Sequence, residues 1–204
     1  ALVNAPNALL PAYDAGAALE WRAGDIALRG VYMNIGENEY GNGYGFYGLQ
    51  LGYRVATALG EGNYRLLVNT TTEDFPDPQG SSLERRRSVL MSLDQQLGET
   101  VGVFVRLGRQ DDAAAIHYDW LYSGGLDIRG TPWRRPADNI GLAYGYLDGS
   151  NLELRHTHVA EAYYRFVISD LLSLTADLQY MKDSLEDAKG PEGLLFALRT
   201  TLEF

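Results

Sequence analysis

The final segment of the chain alternates between apolar and polar side chains at every second residue. Because successive side chains of a β-strand point to opposite faces, residues 194–204 would form a strand with two chemically different faces. One face would carry Leu194, Phe196, Leu198, Leu202 and Phe204, and the other Ala197, Arg199, Thr201 and Glu203. Apolar side chains facing lipid and polar ones facing a watery interior are typical of membrane-spanning β-barrels. A terminal strand that ends on an aromatic residue is typical of bacterial outer-membrane barrels.

The same period of two recurs along the chain, and helical spacing is almost absent. It is longest over Ile116–Arg129, where fourteen residues alternate, more than twice the length of a usual strand. The pattern predicts an all-β, antiparallel, up-and-down transmembrane β-barrel. Eleven strands are expected, at 15–23, 26–35, 45–57, 62–72, 87–97, 101–109, 115–129, 139–147, 158–168, 171–182 and 194–204. Side chains expected to point outward and remain solvent-accessible include Tyr118, Trp120, Leu142, Phe166 and Leu198.

Connections between these strands are predicted to alternate in length. Short turns are expected at 23–25, 98–100 and 169–170, and long polar loops at 36–44, 73–86, 148–157 and 183–193. Two connections depart from this alternation, because 110–114 is short and 130–138 is long. Such an arrangement places short turns at the periplasmic rim of a barrel and long loops at the extracellular rim.

Composition narrows the class of protein further. The mean hydropathy is -0.22 and the sequence has no apolar run long enough for a membrane-spanning helix. The formal net charge of -10 argues against a nucleic-acid partner. Cysteine is absent, and no cofactor or metal is expected. The pair His156 and His158 has a spacing that could place both rings on one face, but two histidines are a weak metal signal.

The odd number of predicted strands indicates whether the chain could form a whole barrel. Bacterial barrels have an even number of strands with both termini periplasmic, whereas eleven are predicted here. Prolines at positions 6 and 11 argue against a twelfth strand in residues 1–10. We therefore expect one β-barrel domain over 1–204, formed by the C-terminal part of a larger barrel.

Several stretches resemble the carbohydrate-selective porins of the OprB family. They are Gly124–Gly130, Arg135–Leu142, Glu161–Phe166, Leu172–Tyr180 and Leu198–Phe204, whereas 181–193 departs from the usual shorter turn. The resemblance implies a sixteen-stranded barrel in the outer membrane of a Gram-negative bacterium. It also implies passive diffusion of small, glucose-like sugars, with outer-membrane lipids and lipopolysaccharide around the barrel, and it allows a homo-oligomer.

Charged side chains on the predicted inner face are the candidates for lining a pore or contacting a solute. They are Arg22, Arg29, Arg54, Arg65, Arg106, Asp119, Asp127, Arg129, Glu161, Arg165, Asp177 and Arg199. The alternative for each residue is a structural role, in which it pairs with an opposite charge on a neighbouring strand. The run Arg85–Arg87 could bind lipopolysaccharide phosphates or fold into a constriction, but a solvated loop end is the simpler expectation.

Other functions are weighed against a sugar porin. A twelve-stranded channel for acidic oligosaccharides would need excess inward arginine, whereas acids are plentiful here. A structural or adhesin-like barrel stays open. A rim-site outer-membrane hydrolase is disfavoured, because His117, Asp119 and Ser123 are too far apart along one strand to form a triad, and no Gly-x-Ser-x-Gly element occurs.

Overall fold

The protein is an antiparallel β-sheet of eleven strands, described here from a computed structural model that covers residues 13–203. Residues 1–12, where a further strand was not expected, and Phe204 lie outside the described residues. Each strand pairs with its neighbours in chain order, and a two-stranded hairpin (β5 and β6) interrupts the β4–β7 connection. The strands are β1 Tyr13–Ala23, β2 Ile26–Ile35, β3 Tyr44–Thr57, β4 Gly60–Thr71, β5 Phe75–Pro76, β6 Leu83–Glu84, β7 Arg87–Leu97, β8 Val101–Gln110, β9 Tyr118–Gly130, β10 Arg135–Gly149, β11 Leu154–Ser169, β12 Leu172–Leu185 and β13 Lys189–Leu202. The predicted fold class and the eleven-stranded sheet are confirmed.

The sheet is open in the described residues, with β1 at one end and β13 at the other. The described residues thus form a wall rather than a closed cylinder. The sixteen-stranded barrel and the single-domain assignment stay predictions.

The strand register sorts the side chains onto the two predicted faces. Leu142 pairs with Leu126 and Ala162 on one face, while the adjacent Ala143 pairs with Gly125 and Glu161 on the other. Large apolar side chains of the first face are exposed, among them Leu142 at 44% and Leu198 at 67%. Soluble proteins rarely leave so large an apolar surface uncovered. Tyr118 and Trp120 are only partly exposed, since loops and neighbouring rings crowd the sheet there.

Connections lie alternately at two rims, and only part of the predicted difference in their lengths is present. The turn rim comprises 24–25, 58–59, 98–100, 131–134 and 170–171, and the loop rim comprises 36–43, 72–86, 111–117, 150–153 and 186–188. Gly24 and Gly98 have positive φ angles of 58° and 67°, which glycine adopts without steric cost. The strand boundaries differ from the prediction, because polar residues continue several strands. As a result, the long connections expected at 130–138, 148–157 and 183–193 are much shorter.

Ile116 corrects the prediction of a strand from 115 to 129. It precedes β9, lies in the loop 111–117, and is only 2% exposed within a cluster of loop side chains. The alternating pattern thus continues into a loop, where Ile116 is buried by tertiary packing rather than by lipid.

The inner face is less uniformly polar than predicted. Leu67 and Leu90 point inward, are almost fully buried at 0% and 1% exposure, and pack with Leu121. Curvature brings inward side chains of neighbouring strands together, which favours a small apolar cluster on the loop-rim side of Arg65 and Arg106. In the described residues no helix has the length and hydropathy needed to span a membrane.

A buried ionic cluster fixes the turn rim at the start of β10. Asp138 is 1% exposed and forms an ion pair with Arg135, which also donates a hydrogen bond to the Val167 carbonyl at 2.7 Å. Asp138 accepts further hydrogen bonds from the Tyr164 hydroxyl and, at 2.9 Å, from the Val167 amide. The Arg135 guanidinium lies 4.0 Å above the centre of the Phe166 ring. Together these contacts tie β10 to β11 at their ends.

Candidate channel lumen

A basic row crosses the inner face of the first strands along the hydrogen-bonding direction. Arg22, Arg65 and Arg106 lie on one register line, which is a series of residues paired successively from strand to strand. Only the small side chains at 27, 52 and 92 lie between them on this line. Arg29 and Arg54 flank this line, and four of the five guanidinium groups line a recess of about 240 Å³. Small neighbours such as Gly52 leave room for the long arginine side chains.

Two acids partly neutralise these arginines. Glu20 forms ion pairs with Arg22 and Arg29, and Asp94 pairs with Arg65 at 2.6 Å. Arg54 has no carboxylate partner among the described residues. The first four strands therefore present a wall with a net positive charge.

The opposite part of the sheet, β9 to β12, carries an acidic group. Asp127 accepts hydrogen bonds from Asn139 at 2.5 Å and from the Tyr163 hydroxyl at 3.1 Å. Asp177 is 9% exposed and accepts only a long 3.5 Å hydrogen bond from Gln179. Its second carboxylate oxygen has no hydrogen-bond partner in the described residues. Glu161 lies close enough to Asp177 for their charges to interact.

A second basic group lies near the turn rim on β9, β11 and β13. Arg129, Arg165 and Arg199 belong to one register line, with Asn139 and Thr175 between them. Arg165 is 3.8 Å from the Glu203 carboxylate and donates to the Ser173 hydroxyl at 3.3 Å. The lumenal charges thus form alternating basic and acidic zones.

Register positions place most predicted site residues on the inner face, although no contact with a solute tests their roles. This set comprises Arg22, Arg29, Arg54, Arg65, Arg106, Asp127, Arg129, Glu161, Arg165, Asp177 and Arg199. Asp119 differs, because it lies where the β9–β10 register shifts and its electrostatic neighbours are Arg109 and Asp148. It thus lies apart from the acidic group.

Phe104 and Tyr163 are aromatic residues on the inner face that the alternating pattern alone did not identify as candidate site residues. Phe104 follows the register line of Asp94 and Gly125, and Tyr163 follows that of Gly141 and Asp177. The sequence does contain a signal for these rings, because a glycine on the neighbouring strand pairs with each of the two aromatic residues. Without the register, however, these glycines could not be matched to their rings.

Loops of the loop rim fold over the inner face and form a cap, defined by 36–43, 72–86, 111–117 and 150–153. Its centre is Phe75, which is 2% exposed and meets the Tyr44 ring edge-on at 4.9 Å. Phe75 also belongs to one cluster with Phe46, an inward-pointing residue of β3. The cap therefore covers part of the lumen at this rim.

Polar contacts hold the loops of the cap together. Asn151 donates hydrogen bonds to the Asp112 and Ala114 carbonyls at 2.8 and 2.9 Å and accepts one from the Ile116 amide. In the hairpin loop, Ser81 donates to Asp77, and this bond holds the pKa of the Asp77 carboxyl below its ordinary value.

The run Arg85–Arg87 divides between two environments. Arg86 points into the cap, where it pairs with Glu39 at 2.9 Å, donates to the Ala115 carbonyl and lies 4.1 Å above the Phe75 ring. The expected solvated loop end is therefore wrong for Arg86. Arg85 and Arg87 are exposed, with ion pairs to Glu73 and Asp111.

The other candidate chemistries have little geometric support. His117 is exposed on a loop and Ser123 points into the lumen, so no triad is assembled there. His156 and His158 lie on the outward face, with ring centres 4.9 Å apart. The described residues contain no group of three or more side chains suited to hold a metal ion.

Solved structures share this fold. The chain is similar to Pseudomonas putida OprB, in a high-pH structure, with a TM-score of 0.72 and 16% identity. It is also similar to Pseudomonas aeruginosa OccK11 (OpdR), with a TM-score of 0.68 and 16% identity. Each comparison covers 93% of this chain and 58% of the other chain.

Sequence comparison extends the relationship. An uncharacterized protein of Aquifex aeolicus (strain VF5) is 26% identical over 185 residues, which is 89% of this chain and 50% of that protein. The chain thus spans about half the length of this relative. Residues 4–204 match the family described as carbohydrate-selective porin, OprB family. The chain belongs to the carbohydrate-selective porin, OprB family.

Proposed function

We propose that these strands form the wall of an outer-membrane channel through which sugars and other small polar solutes diffuse passively. The observation that carries the proposal is the chemical difference between the two faces of one sheet. The outward face exposes residues such as Leu51, Leu66 and Leu178, at 48–50%. The inward face carries charged rows and aromatic rings such as those of Phe104 and Tyr163.

The lumenal chemistry suits neutral, hydroxyl-rich solutes. A sugar hydroxyl can both donate and accept hydrogen bonds, so it exchanges water for a carboxylate or a guanidinium at little net cost. Acidic and basic groups lie on different parts of the wall, so neither cations nor anions are uniformly favoured. Weak binding at several such positions allows a solute to enter and also to leave.

The orientation in the membrane follows from the two rims. We assign the turn rim to the periplasm and the loop rim to the cell exterior, in the outer membrane of a Gram-negative bacterium. Outer-membrane lipid and lipopolysaccharide would then contact the outward leucines and tyrosines. A homo-oligomer would use part of the same surface.

Liposome swelling with the full-length protein tests the proposal. Liposomes that contain the protein should swell in isotonic glucose, and swelling should slow as the sugar grows from a monosaccharide to a trisaccharide. Liposomes with heat-denatured protein are the control for leakage. No swelling in glucose above this control, with the protein folded in the membrane, would rule out a sugar channel.

A channel for acidic sugars is the second candidate, because the basic row of Arg22, Arg65 and Arg106 could attract anions. Swelling rates in glucose and in potassium glucuronate distinguish the two. A neutral-sugar channel passes glucose faster at low salt, whereas a channel for acidic sugars passes glucuronate faster and loses this preference as salt screens the arginines.

A further inference from the structure

Two inward aromatic rings lie against the backbone of the neighbouring strand. A Cβ atom built on Gly141 would be 2.0 Å from the Tyr163 ring, and one built on Gly125 would be 2.5 Å from the Phe104 ring. No side chain larger than hydrogen fits at either position without moving the ring. Each ring therefore occupies the space that a side chain would take on the adjacent strand.

The Tyr163 ring also crosses β10 toward β9. It starts on β11, passes over Gly141 of β10 and donates a hydrogen bond to Asp127 of β9 at 3.1 Å. Neighbouring strands are about 4.8 Å apart, so this contact needs a side chain extended along the wall. Asn139 donates to the same hydroxyl at 3.2 Å. Tyr163 is thus held along the wall, with one side toward the lumen.

The glycines that the two rings cover are diagonal neighbours on the wall. Gly125 pairs with Ala143, which is two residues from Gly141 on β10. Such diagonal positions are about 7–8 Å apart across a strand pair. The inward positions beside the two rings are thus small ones, namely Gly125, Gly141 and Ala143.

Hydrogen-bonding groups are register neighbours of these small residues. Glu161 pairs with Ala143, and Asp127 pairs with Gly141. The Arg106 guanidinium lies 5.3 Å from the centre of the Phe104 ring. Acceptors and a donor therefore flank the two apolar ring surfaces.

From this arrangement we infer a binding subsite for one pyranose ring, formed by Phe104 and Tyr163 with Asp127, Glu161 and Arg106. The inference rests on the proposed function and adds where, and by which groups, the sugar is held. A pyranose has C–H faces that pack on aromatic rings and equatorial hydroxyls that donate to carboxylates. Open-chain polyols have the same hydroxyl groups but no rigid C–H face.

The experiment compares glucose with sorbitol in liposomes that contain the full-length channel. Replacing either ring, as Tyr163→Leu or Phe104→Leu, should lower the ratio of glucose to sorbitol swelling rates by about threefold, since an aromatic contact contributes a factor of that order. Tyr144→Leu, which removes an aromatic ring from the outward face of β10, is the matched control and should keep the wild-type ratio.

A further lumenal variant tests the position of the Tyr163 ring without removing the ring. Gly141→Ala places a methyl group where the Tyr163 ring lies, so it should lower the same ratio with both aromatic residues present. Ion conductance in planar bilayers distinguishes failure of the pyranose subsite from failure of the proposed channel function. A channel that conducts and passes glucose but keeps its ratio in all three lumenal variants overturns the subsite alone. A wild-type protein without conductance overturns the proposed function and the subsite together.

Discussion

Leu178 and Gln179 test the orientation of the two faces with a minimal change. They are neighbours on β12, yet Leu178 pairs with Ala162 and Phe196 on the outward face, and Gln179 pairs with Glu161 on the inward face. Leu178 is 48% exposed without lipid and is the seventh of the fourteen residues of β12. Arginine at 178 would therefore enter the membrane centre, whereas arginine at 179 would enter the lumen beside an acid.

The expected cost follows from the position of Leu178 along the strand. A strand tilted by about 40° advances about 2.5 Å per residue along the membrane normal, so the fourteen residues of β12 span the apolar band of about 25 Å. Arginine at the lipid-facing midplane of a barrel costs about 2–4 kcal/mol. This lowers the folding equilibrium constant roughly 30- to 700-fold. Gln179→Arg should change stability by no more than about 0.5 kcal/mol, as for a solvated surface position.

Urea titration of folding into phosphatidylcholine vesicles, followed by tryptophan fluorescence, measures both variants. Leu178→Arg should unfold at a clearly lower urea concentration than the wild type, and Gln179→Arg should match it. Equal destabilisation of both variants, or destabilisation of Gln179→Arg alone, would refute the assignment of the faces. Leu178→Gln distinguishes loss of the leucine from burial of the arginine charge.

Three further changes test separate parts of the wall. Asp138→Asn removes the charge that Arg135 pairs with at the turn rim, so it should lower the unfolding free energy by about 2–3 kcal/mol in the same urea titration. An unchanged urea midpoint would contradict a structural role of the Arg135–Asp138 ion pair. Arg54→Gln removes a lumenal positive charge that has no carboxylate partner among the described residues. The reversal potential in a salt gradient should therefore shift toward cation selectivity, and no shift would place Arg54 outside the ion path. Arg86→Met breaks the contacts of Arg86 within the cap, so trypsin should cleave this variant after Arg85 several times faster than the wild type. An unchanged cleavage rate would mean that the apolar cluster alone holds the cap.

The fold could be predicted from the sequence because its signal is local. Alternation with period two is a property of each strand alone, and segments such as 101–109 carry it without reference to the rest of the chain. The assignment of most charged residues to the inner face follows from the same period. Strand ends were predicted less well, because Ile116 continues the alternation into a loop where it is buried in the cap.

The residue pattern was enough to predict the class of fold and the two faces of the sheet. Which inward side chains are neighbours depends on the folded structure, because register depends on how adjacent strands align. The fold matches Tyr163 to Gly141 and Phe104 to Gly125, residues on neighbouring strands that are joined through connections of the loop rim. It also turned Arg86 inward while Arg85 stayed in solvent, since the packing of Phe75 against Tyr44 determines the path of the loop. Local periodicity fixes the direction of a side chain, whereas its partners depend on contacts between distant segments.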